Sequence, residues 1–315
     1  MRQFTAAPAP DEITQLVEIA RAAKQSPRAD HKLGQGRTLL NVFFNPSLRT
    51  RLSTEIAGRN LGMEVITMDA GGGWKIEFED GVVMDADTAE HIREAAGVMS
   101  QYADILAVRS FPGLQDRDAD YADTVMQAFA RYASVPVVSL ESAIRHPLQS
   151  LADCVTIAEY RRRERPRVVL TWAPHPRALP QAVPNSFAEW MLASEVELVI
   201  THPEGYELDK QFTEGATITH DQSEALRGAD FVYAKNWSSY QLYGQILGHH
   251  PDWMITPRKM GLTNDAYFMH CLPVRRNVVV ADAVLDSDRS LVLQQARNRV
   301  FAAQAVLKQM LLTNG

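Results

Sequence analysis

Thr38-Leu39-Leu40-Asn41-Val42-Phe43-Phe44-Asn45-Pro46-Ser47-Leu48-Arg49-Thr50-Arg51 is the stretch on which the fold turns. Residues 38–44 form a short, mostly apolar run that stops at Asn45-Pro46, and a segment of hydroxyls and arginines then opens a helix expected over 48–61. The same order recurs along the chain. Further strand-like runs lie at 64–68, 105–108, 135–139, 167–172, 197–201, 231–234 and 268–271, with helical stretches at 87–101, 122–134 and 148–160 between them. Strands alternating with helices predict an α/β fold of parallel sheets flanked by helices. At roughly 150 residues per domain, the 315 residues suggest two domains. The expected division falls near 145–150, giving domains of 1–147 and 148–289, each with its own central sheet. The last helix, 290–315, is expected to pack back on the first domain. The charged run 161–166 reads as a solvated turn between the two.

The composition is that of an ordinary soluble protein, 46% hydrophobic and 22% charged. A net charge of -6 gives no general attraction to nucleic acid or to anionic membrane, so any bound anion has to be held by local positive charge. Cys154 and Cys271 make no disulfide framework, no ligand set with zinc spacing stands out, and no apolar run is long enough for a leader or a span. These features lead to the expectation of a cytoplasmic protein needing neither metal nor cofactor.

In open parallel sheets, ligands collect beyond the carboxyl ends of the strands. At 47–51 the start of the helix offers unpaired N–H groups and a partial positive charge. Ser47 and Thr50 add hydroxyls, and Arg49 adds a fork that meets two phosphate oxygens at once. The pattern is neither GxxxxGK[ST] nor GxGxxG, which favours a small phosphate compound over a nucleotide. Arg109 follows the run at 105–108 and either polarises a carbonyl oxygen or forms a surface ion pair. His146 stands before Pro147 at a helix entrance, with Gln149 on the same side. A helix start disfavours the imidazolium, so His146 reads as a neutral donor, and both side chains can donate to one oxygen. Cys271 is open to three readings: a nucleophile, an inert buried thiol, or a place where backbone carbonyls face a ligand.

Phe43-Phe44-Asn45-Pro46-Ser47-Leu48-Arg49-Thr50-Arg51, Arg109, His146-Pro147-Leu148-Gln149, His270-Cys271-Leu272-Pro273 and Asn298-Arg299 together resemble the motifs of the aspartate and ornithine carbamoyltransferase superfamily, in family order across almost the whole chain. The resemblance implies a carbamoyl phosphate-binding first domain and an enzyme that passes the carbamoyl group to an amine, as in arginine biosynthesis. It implies that Ser47, Leu48, Arg49, Thr50 and Arg299 meet the phosphate. Arg109, His146 and Gln149 would surround the carbonyl oxygen, and Cys271 and Leu272 would orient the NH2 through their carbonyls. Arg297 stands where those relatives carry an acidic residue.

The acceptor region resembles the N-acylornithine branch, which acts on acetylornithine or succinylornithine. Its marks here are Gly71-Gly72-Gly73-Trp74-Lys75, the proline-dense segment 171–186 and Ala234-Lys235-Asn236-Trp237. The resemblance assigns Glu141 and His175 to the ornithine part and Lys235 to the α-carboxylate. Trp74 would enter a neighbouring subunit's site. It further implies a homotrimer with shared sites and a knotted second domain. Acetyl-type relatives carry Glu where this chain has Ala89 and, in this reading, Lys where it has Val279. A glutamate facing a succinyl carboxylate would repel it. Ala89 removes that repulsion and Arg275 adds a cation, so the expected acceptor is N-succinyl-L-ornithine, with N-acetyl-L-ornithine as the alternative. A remoter alternative is a non-catalytic ligand-binding regulator of the same fold.

Overall fold

The computed structural model describes residues 1–71 and 74–313; Gly72 and Gly73 of the segment quoted above lie outside the described residues. The strands are β1 Gln3–Phe4, β2 Thr38–Phe43, β3 Glu64–Asp69, β4 Ile76–Glu77, β5 Glu90–His91, β6 Ile105–Arg109, β7 Val137–Glu141, β8 Arg167–Trp172, β9 Glu197–Thr201, β10 Thr217–Thr219, β11 Phe231–Lys235 and β12 Tyr267–Met269. They form two five-stranded sheets, ordered β1-β7-β6-β2-β3 and β10-β9-β8-β11-β12, and a small β4-β5 pair. Every pairing is parallel. The α/β reading is therefore correct, and every run expected as a strand is one, with ends shifted by a few residues.

Each sheet reverses its direction of growth once. In the first, the chain runs from β2 out to β3 and then returns to lay β6 and β7 on the other side of β2. In the second, β8, β9 and β10 grow one way before β11 and β12 are added on the other side of β8. Neighbouring loops diverge at such a switch and leave a crevice at the carboxyl ends. The 45–51 loop follows β2 and Arg109 ends β6; His175 lies beyond β8 and Lys235 ends β11. The topology alone thus gathers both sets of groups.

The helix over Leu48–Asn60 starts where expected, with Ser47 as its cap: the Ser47 hydroxyl accepts from the Thr50 N–H at 3.3 Å. The helix expected over 87–101 is shorter, Ile92–Tyr102. His91 caps it by accepting from Arg93 N–H, and Glu90–His91 is drawn off as β5. Edge strands β1 and β10 are too short for a sequence signature. The terminal helix Val292–Thr313 packs on the helices Pro10–Gln25, Leu48–Asn60 and Pro147–Tyr160. One continuous core joins Leu39, Phe43 and Ile105 of the first sheet to Val168, Leu170 and Trp190 of the second half. No described helix is long and apolar enough to cross a membrane.

Candidate active site

A cavity of about 380 Å³ opens between the carboxyl ends of the two sheets, lined by Ser47, Leu48, Arg49, Thr50, Arg109, Glu141, His146, Gln149, His175, Lys235, Cys271, Leu272 and Arg299 among others. Residues spread over some 250 positions of sequence therefore meet at one place. Larger hollows elsewhere on the surface carry no such set of converging groups.

Two buried arginines organise the first-sheet side. Arg109 donates through Nη1 to the carbonyls of Asn45 and Pro46, at 2.7 and 2.9 Å, and through Nη2 to Glu141 Oε2 at 3.0 Å. Its guanidinium lies 4.1 Å from the Phe111 ring centroid, a stacking contact that the sequence did not reveal. Of the two roles open to Arg109, the surface ion pair is ruled out by its 5% exposure. Arg299, from the terminal helix, donates to Thr50 Oγ1 at 2.7 Å and to Gln149 Oε1. Its Nη1 also lies 3.4 Å from His146 Nε2.

His146 is buried at the start of the helix Pro147–Tyr160, and its Nδ1 has no hydrogen-bond partner among the described residues. Burial, and after it the charges of Arg299 and Arg109, holds the imidazole well below the ordinary histidine range. The ring is neutral, as expected, but the main cause is desolvation rather than the helix start. Gln149 departs from expectation. Its Nε2 donates to Asp153 Oδ1 at 2.8 Å while its Oε1 faces Arg299. It therefore offers an acceptor oxygen, which suits an NH2 group, and does not join His146 as a donor to one carbonyl oxygen.

Glu141 is buried, and burial raises its carboxyl while Arg109 and Arg299 lower it. Arg109 already occupies its Oε2, while Oε1 makes no hydrogen bond among the described residues. Burial also pushes the Cys271 thiol up, with Lys235 opposing. A thiol held protonated is a poor nucleophile. Neither the Cys271 nor the Leu272 carbonyl accepts a hydrogen bond among the described residues. Leu272 sits at φ 52°, a conformation that L residues adopt at a cost, and such strain gathers at ligand sites. The third reading of Cys271 fits best.

On the second-sheet side, Lys235 is 8% exposed and donates to the Asn236 carbonyl at 3.1 Å. His175 is half-buried, and Arg275, exposed at the rim, donates to its Nε2 at 3.3 Å. Leu179, Pro180 and Val183 of the proline-dense segment supply an apolar floor. Two expected site positions, Ala89 and Trp74, do not line the cavity of their own chain, and neither does Val279. Ala89 is exposed, with its N–H bonded to the Lys75 carbonyl. Trp74 packs half-buried on the core beneath the small β4-β5 pair. Val279 is 2% exposed inside the second sheet's core, so it cannot face a substrate. Its N–H bonds the Arg275 carbonyl, so its influence passes through the backbone that carries Arg275.

His202, Glu207 and His220 bring ligand-capable atoms within 4.8 Å of one another, a grouping that sequence spacing did not disclose. None of the three lines the cavity.

Comparison with known proteins agrees with this geometry. Residues 5–159 match the carbamoyl-P binding domain of the aspartate/ornithine carbamoyltransferases, and residues 180–310 match their Asp/Orn binding domain. The N-succinylornithine carbamoyltransferase of Bacteroides thetaiotaomicron is 55% identical over 283 residues, which is 89% of each chain. The N-acetylornithine carbamoyltransferase of Xanthomonas axonopodis pv. citri is 38% identical over 303 residues, 88% of each chain. A crystal structure of an N-acetyl-L-ornithine transcarbamylase variant with one glutamate changed to alanine, in complex with carbamyl phosphate and N-succinyl-L-norvaline, superposes with a TM-score of 0.91. It shares 34% identity and covers 98% of this chain and 100% of that one. The converging anion loop, the buried arginine pair and these matches over both halves have one common explanation: the chain belongs to the aspartate/ornithine carbamoyltransferase family and is a carbamoyltransferase.

Proposed function

We propose that the chain transfers the carbamoyl group of carbamoyl phosphate to the δ-amine of N-succinyl-L-ornithine, giving N-succinyl-L-citrulline and phosphate, as a step of arginine biosynthesis. The observation that carries this reading is the single cavity. It sets a phosphate-type anion site against a carbonyl site and two free backbone acceptors. Ser47, Arg49, Thr50 and Arg299 hold the phosphate, with the free N–H groups of the helix start behind them. Arg109 and the neutral His146 face the carbonyl oxygen. The Gln149 oxygen and the carbonyls of Cys271 and Leu272 take the NH2 hydrogens.

The neutral δ-amine gives its lone pair to the carbonyl carbon. Negative charge grows on the carbonyl oxygen against Arg109, the logic of an oxyanion hole. The carbon–oxygen bond to phosphorus breaks, phosphate leaves with the electron pair, and it takes the amine proton. Glu141 and His175 align the ornithine part, and Lys235 pairs with the α-carboxylate. Residues 1–147 carry most of the donor site and 148–289 most of the acceptor site, with Gln149, Cys271 and Leu272 crossing to the donor and Glu141 to the acceptor.

The acyl choice rests on Ala89 and Arg275. Replacing a glutamate by alanine in the acetyl-type relative accompanies a bound succinyl compound there. Alanine already stands at position 89 here. Ala89 and Trp74 lie outside their own cavity, which supports a homotrimer in which they serve a neighbour's. Leu48, Leu52 and Ile56, exposed by 68%, 49% and 44%, form an apolar stripe along the helix beside the anion loop, and Ile66 extends it on edge strand β3. The segment near 179 is tied to the 236–239 loop by Ser238 donating to the Leu179 carbonyl, which suits a knotted crossing. We place the enzyme in the cytoplasm.

A parallel assay of acetyl- and succinylornithine with carbamoyl phosphate, following phosphate release, tests the reading. Faster succinyl turnover is expected; faster acetyl turnover overturns the acceptor, and no phosphate release with either overturns the reaction.

A further inference from the structure

Asp153 lies wholly buried one helical turn beyond Gln149, behind the cavity wall, and it was not among the residues singled out in the sequence. A buried carboxylate is costly unless it does something for its surroundings. Its Oδ1 accepts two side-chain amides at once, Gln149 Nε2 at 2.8 Å and Gln295 Nε2 at 2.7 Å. Each amide carries a donor end and an acceptor end of nearly equal shape, so its partners decide which end faces which way. An ionised carboxylate only accepts. It draws the NH2 of both amides toward itself and turns both oxygens outward.

The two outward oxygens have different uses. Gln149 Oε1 meets Arg299 at the cavity. Gln295 Oε1 accepts the His270 N–H at 3.0 Å, which fixes the backbone directly before the Cys271 and Leu272 carbonyls. One carboxylate thus controls every acceptor that the proposed site offers to an NH2 group, although it touches none of the reacting atoms.

We propose that Asp153 is a positioning residue, which by polarising Gln149 and Gln295 aims the Gln149 oxygen and the 271–272 carbonyls at the carbamoyl NH2. This rests on the carbamoyl phosphate reading of the cavity. The switch has a chemical basis. Among the described residues Oδ2 has no hydrogen-bond partner, and the Tyr233 hydroxyl, buried beside both Asp153 and the Cys271 thiol, makes no well-formed hydrogen bond to either. Burial, only partly offset by Gln149, Gln295 and Arg299, pushes the Asp153 carboxyl up to about 7. The groups facing it are Gln149 on its own helix, Gln295 and Arg299 on the terminal helix, Tyr233 on β11 and Cys271 after β12. A protonated Asp153 becomes a donor and releases the amides from their single orientation.

The test compares two ligands that differ in the NH2 group. Inorganic phosphate uses the anion loop alone, whereas carbamoyl phosphate also uses the acceptors. In Asp153→Asn, which is nearly isosteric, carbamoyl phosphate should bind at least about tenfold more weakly while phosphate changes less than about twofold. In the wild type the ratio of the two affinities, each reckoned for the dianion because inorganic phosphate itself takes up a proton near neutrality, should fall on acidification through neutrality, and in Asp153→Asn it should not change with pH. Equal weakening of both ligands, or of neither, overturns the positioning role. If the variant does not fold, a pH-independent ratio in the wild type overturns it alone. Wild-type protein that binds neither ligand would instead remove the carbamoyl phosphate reading, so the two failures are told apart.

Discussion

On the first-sheet wall of the cleft, Arg109, His146, Gln149 and Arg299 are exposed by 5%, 4%, 1% and 6%, and each is bound to its neighbours within the chain. On the second-sheet wall, His175 is half-buried, Arg275 stands in solvent with one contact to His175, and two expected contributors, Ala89 and Trp74, do not line the cavity at all. The first wall is held in place before any ligand arrives. Preorganised dipoles act where charge develops without reorganising at that moment, which is the larger part of electrostatic catalysis. The second wall is left open for the substrate to complete. Changes on the first wall should therefore strike turnover, and changes on the second should strike the choice of acceptor.

The sharpest way to break this contrast is Arg109→Ala. It removes the group facing the carbonyl oxygen and leaves Glu141 buried without its cation. Turnover should drop about 10²–10³-fold, as when an oxyanion donor is lost. Stability should fall by about 3–5 kcal/mol, the cost of orphaning a buried charge. Adding Glu141→Gln should restore much of the denaturant midpoint and none of the turnover. Recovery of both would mean that Arg109 is only a structural partner.

On the other wall, Ala89→Glu should leave carbamoyl phosphate binding unchanged. It should shift the ratio of succinyl to acetyl kcat/KM toward acetyl by about 10–100-fold, the scale of one unscreened like-charge contact. An unchanged ratio removes residue 89 from the acceptor pocket.

Burial of the first wall can also be read from pH. His146 and His270 are both held well below the ordinary range, His146 by burial and then Arg299 and Arg109, His270 by burial and then Lys235, Arg49 and His175. As the pH falls through about 6.5 the unfolded chain takes up protons there and the folded chain does not. The stability from each is complete above that value and is lost on acidification, at up to about 1.4 kcal/mol per pH unit. The raised carboxyl of Asp153 works the other way, losing stability as pH rises from the ordinary carboxylate range to about 7. Urea midpoints between pH 7 and 5 should therefore fall less in His146→Gln than in the wild type. An equal fall in both would show that His146 is protonated in the folded chain.

The sequence disclosed most of the first wall and less of the second, for a physical reason. Ser47, Arg49, Arg109 and His146 each lie at or shortly after the carboxyl end of a strand, and strand ends at a switch point converge whatever the side chains are. Asp153 escaped because it acts through Gln149 from inside a helix that is buried on nearly every face, where a polar residue looks like an ordinary core hydrogen bond. The orientation of Gln149 escaped for the same reason, since an amide's sense depends on its partner. Val279, which marks a departure from the acetyl-type relatives, is a core residue in the fold; spacing from Cys271 cannot tell a rim from an interior once the chain turns at Asn277, where φ is 58°. Ala89 and Trp74 do not line their own chain's cavity, and their assignment to a pocket came from the resemblance and not from any strand end.

Arg275 gives the smallest expected effect and the cleanest separation of the two walls. It is exposed and holds no buried charge, so Arg275→Ala should not change the denaturant midpoint. A rim cation near a succinyl carboxylate contributes about 0.2–1 kcal/mol under solvent screening, so KM for succinylornithine should rise only about twofold to fivefold. The rise should shrink as salt shortens the reach of the charge. KM for acetylornithine, which lacks the second carboxylate, should stay where it was, and so should KM for carbamoyl phosphate. If both acyl substrates weaken together, Arg275 acts instead through His175, whose Nε2 it touches, and the succinyl preference then rests on Ala89 alone.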